Sequence, residues 1–170
     1  MFANIKSLKN HTKFAIAGAG LLALATLPSI AQAATGPFAA LSGSWSGGGT
    51  LTMSNGAKER LRCRAHYNVG GAGENVDLTL RCASDSYNFE LQSNASYSNG
   101  TVTGTWNEKT RGVGGSIEGS GNGSTIKVRV SGVISASLAL STVANQQSIS
   151  IQAPGTELQS VAISLSRGAK

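Results

Sequence analysis

Residues 41–69 read LSGSWSGGGTLTMSNGAKERLRCRAHYNV, and their odd and even positions differ in kind. Up to Met53 the odd positions are Leu41, Gly43, Trp45, Gly47, Gly49, Leu51 and Met53, whereas the even ones are serine, glycine or threonine. After Ala57 the odd set is Glu59, Leu61, Cys63, Ala65, Tyr67 and Val69, and the even set opens with Lys58, Arg60, Arg62, Arg64 and His66. A period of two marks a strand with one buried face, so strands are predicted over 41–53 and 57–69. Their apolar faces coincide if Met53 opposes Ala57. Ser54-Asn55-Gly56 is then a three-residue hairpin loop with Gly56 in the left-handed position. That register sets Gly49 against Leu61 and Gly47 against Cys63, where the missing side chains leave room for neighbours.

The same pairing carries outward along the chain. A third strand over 74–82, reached through Gly70-Gly71-Ala72-Gly73, pairs Val69 with Val76, Tyr67 with Leu78 and Ala65 with Leu80. Cys63 then lies opposite Cys82, and a cross-strand disulfide is predicted. A turn at 83–86 pairs Cys82 with Tyr87 and Leu80 with Phe89, aiming Tyr87, Phe89, Leu91, Ala95 and Tyr97 inward. Asn99-Gly100 is a type I′ signal that pairs Tyr97 with Val102 and Ala95 with Gly104 and points Trp106 inward. Further strands are expected over 113–120, 125–132, 134–143, 148–153 and 158–167, with Ile134 among the inward residues and loops at 121–123, 145–147 and 154–155.

The fold class that follows is all-β: an antiparallel meander of about ten strands, closed or nearly closed into a barrel because closure removes exposed edges. The outward positions carry Ser, Thr, Asn, Lys and Arg, which lipid would reject, so a soluble barrel with an apolar interior is expected rather than an outer-membrane one.

Residues 1–33 read as a cleaved signal peptide. Lys6, Lys9 and Lys13 precede a short apolar run, and Ala31-Gln32-Ala33 supplies a small-x-small cleavage pattern. The domain layout is thus leader 1–33, a flexible N-terminal arm 34–40, and a barrel over 41–168, in a periplasmic or secreted protein. The whole chain has 14 basic and 8 acidic residues; the leader takes three lysines and no acid, so eleven bases against eight acids leave a net charge of +3. That is weak attraction for nucleic acid, and no nucleic-acid partner is expected. Export to an oxidising compartment favours a disulfide. With His66 alone among histidines after the leader and no Cys-x-x-Cys, neither a metal nor another cofactor is expected.

The segments 36–69, 80–91, 98–119 and 156–168 resemble a group of small, exported, single-disulfide β proteins of alphaproteobacteria that has no assigned function. The resemblance implies a one-domain periplasmic or secreted protein and supplies no chemistry. Gly43-Ser44-Trp45, extended by Gly47 and Gly49, is also similar to the Gly-x-Trp opening of calycins, the lipocalins and nitrobindins. Nitrobindins hold haem through a late histidine; this chain has none after His66, so haem is not implied.

Three candidate sites stand out. The inward aromatics Trp45, Tyr67, Tyr87, Phe89, Tyr97 and Trp106 suit a small apolar ligand, although a packed core, with tryptophan filling the space beside the glycines, is the plainer expectation. Arg62, Arg64 and Arg81 form an outward basic cluster in which Arg64 faces Arg81. Like charges directly opposite are destabilising, and an anionic envelope glycan would relieve them; a solvated surface, with Glu90 diagonal to Arg81, is the plainer reading. Glu59 and Glu108, with Asp85, gather toward one mouth, where paired carboxylates could do acid–base work, but rim residues reaching water account for them and no catalytic constellation is visible. The expected function is a non-enzymatic binding protein that does not span a membrane. The alternative is a protein–protein role such as inhibition of secreted proteases by the free arm.

Overall fold

The computed structural model describes residues 35–168. The leader and its cleavage point lie outside the described residues. Ten strands follow one another: β1 Gly43–Met53, β2 Lys58–Gly70, β3 Asn75–Ala83, β4 Asn88–Ser98, β5 Thr101–Glu108, β6 Val113–Asn122, β7 Thr125–Gly132, β8 Ala136–Val143, β9 Gln146–Gln152 and β10 Leu158–Arg167. Each pairs antiparallel with its sequence neighbours, and β10 pairs with β1, closing the barrel. Apolar residues point in and polar ones out along most strands, the reverse of a lipid-facing barrel. Among the described residues no helix is long and apolar enough to cross a membrane.

The register of the first three strands is the one the alternation dictates. Gly49 pairs with Leu61 and Gly47 with Cys63. The hairpin loop closes through Met53 N–H donating to the Ala57 carbonyl at 2.8 Å, with Gly56 at φ +85°. Val69 pairs with Val76 and Cys63 with Cys82. The two cysteines form a disulfide with Cα atoms 4.2 Å apart. Asn99 and Gly100 both take positive φ in the two-residue turn before β5, so Tyr97 faces Val102 and Ala95 faces Gly104. Trp45 and Trp106 are 1% and 6% exposed. The space beside Gly47 and Gly49 is used differently from the expectation. A Cβ there would run into the carbonyl oxygens of Ser164 and Ala162, so the glycines admit the backbone of β10 at the closing seam rather than side chains of β2.

Three local expectations are corrected. Cys82 pairs with Phe89 and Leu80 with Leu91, two residues on from the predicted register, because the turn occupies Ser84–Tyr87. Ser84 N–H donates to the Tyr87 carbonyl at 2.7 Å, and the Ser84 hydroxyl oxygen accepts from Tyr87 N–H at 3.0 Å. Parity survives, since two residues return each side chain to its own face. Ile134 lies outside any strand, in the β7–β8 loop; it is 37% exposed and still borders the interior cavity, so its inward aim holds while its place in a strand does not. The β8–β9 turn is Ala144-Asn145, so Gln147 is not a loop residue but a buried member of β9.

The disulfide spans 19 residues of sequence, and a loop of that size restrains the unfolded chain by about 3 kcal/mol. Replacing Cys63 and Cys82 together with alanine should lower the unfolding free energy in urea by about that amount while leaving the far-ultraviolet spectrum unchanged.

Candidate functional site

The interior of the barrel is hollow. A cavity of about 390 Å³ runs between the strands, walled by side chains such as Leu80, Leu91, Val102, Ile117, Val128 and Leu140. Its polar atoms come from few residues: Tyr67 and Ser93 within, and Tyr87, Glu108, Arg111, Thr156 and Glu157 toward one end. A packed core was the simpler expectation. Eight strands enclose a space that side chains fill, and diameter grows with strand number, so ten strands leave space over.

One end is stoppered. Residues 34–40, expected to form a free arm, instead fold back from Gly36 onward against the β2–β3 turn. Gly36 N–H donates to the Ala72 carbonyl at 3.0 Å and Phe38 N–H to the Gly73 carbonyl at 3.1 Å. Phe38, 2% exposed, and Leu41 from the 3-10 turn Ala39–Leu41 form part of the cavity wall. Trp45 donates its indole N–H to the Leu41 carbonyl at 2.6 Å. The Arg167 guanidinium lies 4.3 Å from the Trp45 ring centroid and donates to the carbonyls of Ser42 and Ala40. The arm is tied into the closed end.

The other end is the mouth, rimmed by the β1–β2, β3–β4, β5–β6, β7–β8 and β9–β10 turns. Arg111 lies 4.3 Å above the Tyr87 ring and donates to the Asn88 carbonyl at 3.3 Å. Glu108, 8% exposed, caps the β5–β6 turn. It accepts from the backbone N–H groups of Glu90 at 3.0 Å, Thr110 at 3.0 Å and Arg111 at 2.8 Å. Burial pushes the Glu108 carboxyl up, but these donors together outweigh it and hold the group below the usual carboxylate value. Glu59 accepts from the Ser84 and Ser86 hydroxyls, which lower its pKa. Asp85 stands out in solvent, 3.9 Å from Arg62. Each of the two glutamates is therefore committed to a separate turn, and no hydrogen bond joins them. Among the described residues no group of three or more His, Cys, Asp or Glu could hold a metal ion. His66 faces outward, with Nδ1 3.1 Å from the Ser44 hydroxyl.

Of the six aromatics singled out from sequence, Tyr67, Tyr87, Phe89 and Trp106 line the cavity, whereas Trp45 and Tyr97 are not part of its wall. Sequence reasoning missed Phe38 and the buried partner of Tyr67: the phenol donates to Gln147 Oε1 at 2.8 Å, and Gln147 Nε2 donates to the Thr142 hydroxyl at 3.4 Å. Burial drives the Tyr67 phenol pKa up, against the opposing effect of the Gln147 hydrogen bond. On the outer surface Arg64 does face Arg81. Glu90, however, lies directly opposite Arg81 rather than diagonal to it, and binds it through two contacts of 2.9 and 3.2 Å.

The class these features define is an antiparallel ten-stranded β-barrel, hollow and stoppered at one end. No family model matches the chain, and no curated protein does. Among solved structures it is similar to the crystal structure of Rv2717c from M. tuberculosis, at a TM-score of 0.61 and 14% identity, covering 76% of this chain and 94% of that one. At that identity the likeness is one of fold.

The Glu108 carboxylate gives the mouth a test. Glu108→Gln turns one acceptor into an amide donor facing N–H groups, and should cost about 1.5–3 kcal/mol at neutral pH. A group whose folded pKa is depressed contributes stability above its unfolded value and loses it as pH falls through the folded value. The gap between wild type and variant in urea midpoints should therefore close in acid.

Proposed function

We propose that this protein is an exported binding protein that carries a small apolar molecule inside its barrel. The observation that carries the reading is the 390 Å³ interior cavity with a hydrocarbon wall and polar residues confined largely to its mouth. Binding pockets commonly have this volume and this distribution of polarity, and a dry apolar cavity of smaller volume takes up aromatic guests. At the roughly 30 Å³ a water occupies in the liquid, the space accepts about a dozen non-hydrogen atoms.

Export is supported by the basic-then-apolar pattern of residues 1–33 with its small-x-small end, by the Cys63–Cys82 disulfide, and by the resemblance to small exported single-disulfide proteins. A periplasmic or secreted location follows. A non-enzymatic role is supported by the carboxylates at the mouth, since Glu59 and Glu108 are each occupied by turn donors. The docking of Phe38 removes the free arm on which an inhibitor role rested.

Titration with 1-aminonaphthalene, whose emission rises in an apolar site, should show saturable binding of one probe per barrel. Ala136 is buried on the cavity wall, and Ala136→Phe fills that space. The variant should keep the wild-type circular dichroism and lose probe affinity by about tenfold or more. Absence of saturable binding, or unchanged affinity in a folded Ala136→Phe, would overturn the reading.

A further inference from the structure

The outward row of β2 is Lys58, Arg60, Arg62, Arg64 and His66, all exposed. Same-face residues on a strand recur every 6.6–6.8 Å, so the row runs about 27 Å. Across the ladder on β1 lie Thr52, Thr50, Gly48, Ser46 and Ser44, none reaching beyond a hydroxyl or methyl. A lane of small neutral residues thus borders a line of long cations. Among the described residues Lys58, Arg60 and Arg64 make no ion pair, and Arg62 has a single 3.9 Å contact with Asp85, both groups almost wholly in solvent.

On the other side, β3 sets Arg81 opposite Arg64. Glu90 pairs with Arg81, and among the described residues no carboxylate pairs with Arg64. The Cys63–Cys82 bond joins the residues immediately beside this pair, so the strands cannot separate there to relieve repulsion. Two open depressions, of about 650 and 290 Å³, meet at Ser46, Arg64 and Arg81. Charge, concavity and rigidity coincide at one place.

We propose that this outer face binds a linear acidic glycan, its carboxylates spaced along Arg60, Arg62 and Arg64 and its hydroxyls lying over the Ser44–Thr52 lane. Guanidinium forks suit carboxylates held in line. The outward positions of β1, β2 and β3 hold no Phe, Tyr or Trp to serve as a stacking platform for nucleic-acid bases. Nor do they hold an apolar anchor for a bilayer; the exposed large apolar residues Val133, Ile134 and Val143 belong to the β7–β8 loop and the end of β8. This site is independent of the interior cavity.

The test is calorimetric titration of the intact barrel with polygalacturonate at low salt. Binding is expected, and Arg62→Thr with Arg64→Thr should weaken it by about tenfold or more. Threonine suits an outward strand position. Lys127→Thr with Arg129→Thr removes the same charge from the outward face of β7 and should leave affinity within about twofold. Arg60→Thr, a single change opposite Thr50, repeats the reading if the β2 double variant misfolds. The proposal is overturned if polygalacturonate does not bind, if the β2 variants bind like wild type, if the two double variants lose affinity equally, or if polyphosphate, single-stranded DNA or phosphatidylglycerol vesicles bind more tightly than polygalacturonate.

Discussion

The structure rests on the face-to-face pairing of β1, β2 and β3. Strand side chains alternate with a period of two, so a slip of one residue would expose every apolar group on the slipped strand. The chain guards against that slip covalently: the two sulfurs can join because Cys63 and Cys82 are directly opposite. Once these strands are set, each short turn hands the same parity to the next strand, until β10 returns to β1. The glycines of β1 let that last pairing close, since their missing side chains give way to β10 carbonyls.

Closure determines the interior. A ring of ten strands has a circumference that its inward side chains must fill, and Leu, Val and Ile reaching in from all sides do not meet in the middle. The void is a consequence of strand number as much as of residue size. Polar groups at the stoppered end satisfy one another, as Tyr67 and Gln147 do, whereas those at the mouth bind the turns together. The molecule is thus held open by its own edges, with Glu108 stitching the β5–β6 turn to the start of β4.

Much of this was legible in the sequence where the determinants are local. Asn55-Gly56 and Asn99-Gly100 announce their turns, and alternation then assigns every residue from Met53 to Cys82 to a face. The β3–β4 register was not legible, because the turn is shaped by Ser84 bonding to Tyr87 and to Glu59, a residue of another hairpin. Gln147 read as loop because it is polar; its partner Tyr67 lies 80 residues away. Phe38 has no periodic neighbours to mark it, and the turn it docks against begins more than thirty residues later. Tyr67, Phe89 and Trp106 reach the cavity wall because strand parity directs them inward, whereas Tyr87 reaches it from the β3–β4 turn. That a cavity exists depends on the whole ring and is written in no single segment.

The pairing of β1 with β10 has one more consequence. Gly168 N–H donates to the Ser44 carbonyl at 2.9 Å, so the first and last strands leave the barrel side by side at the stoppered end. The order of strands in the polypeptide is therefore a circle cut at one seam. A circularly permuted chain, linked across this seam and reopened at the exposed Gly123-Ser124 turn, keeps every ladder and every inward side chain of the original.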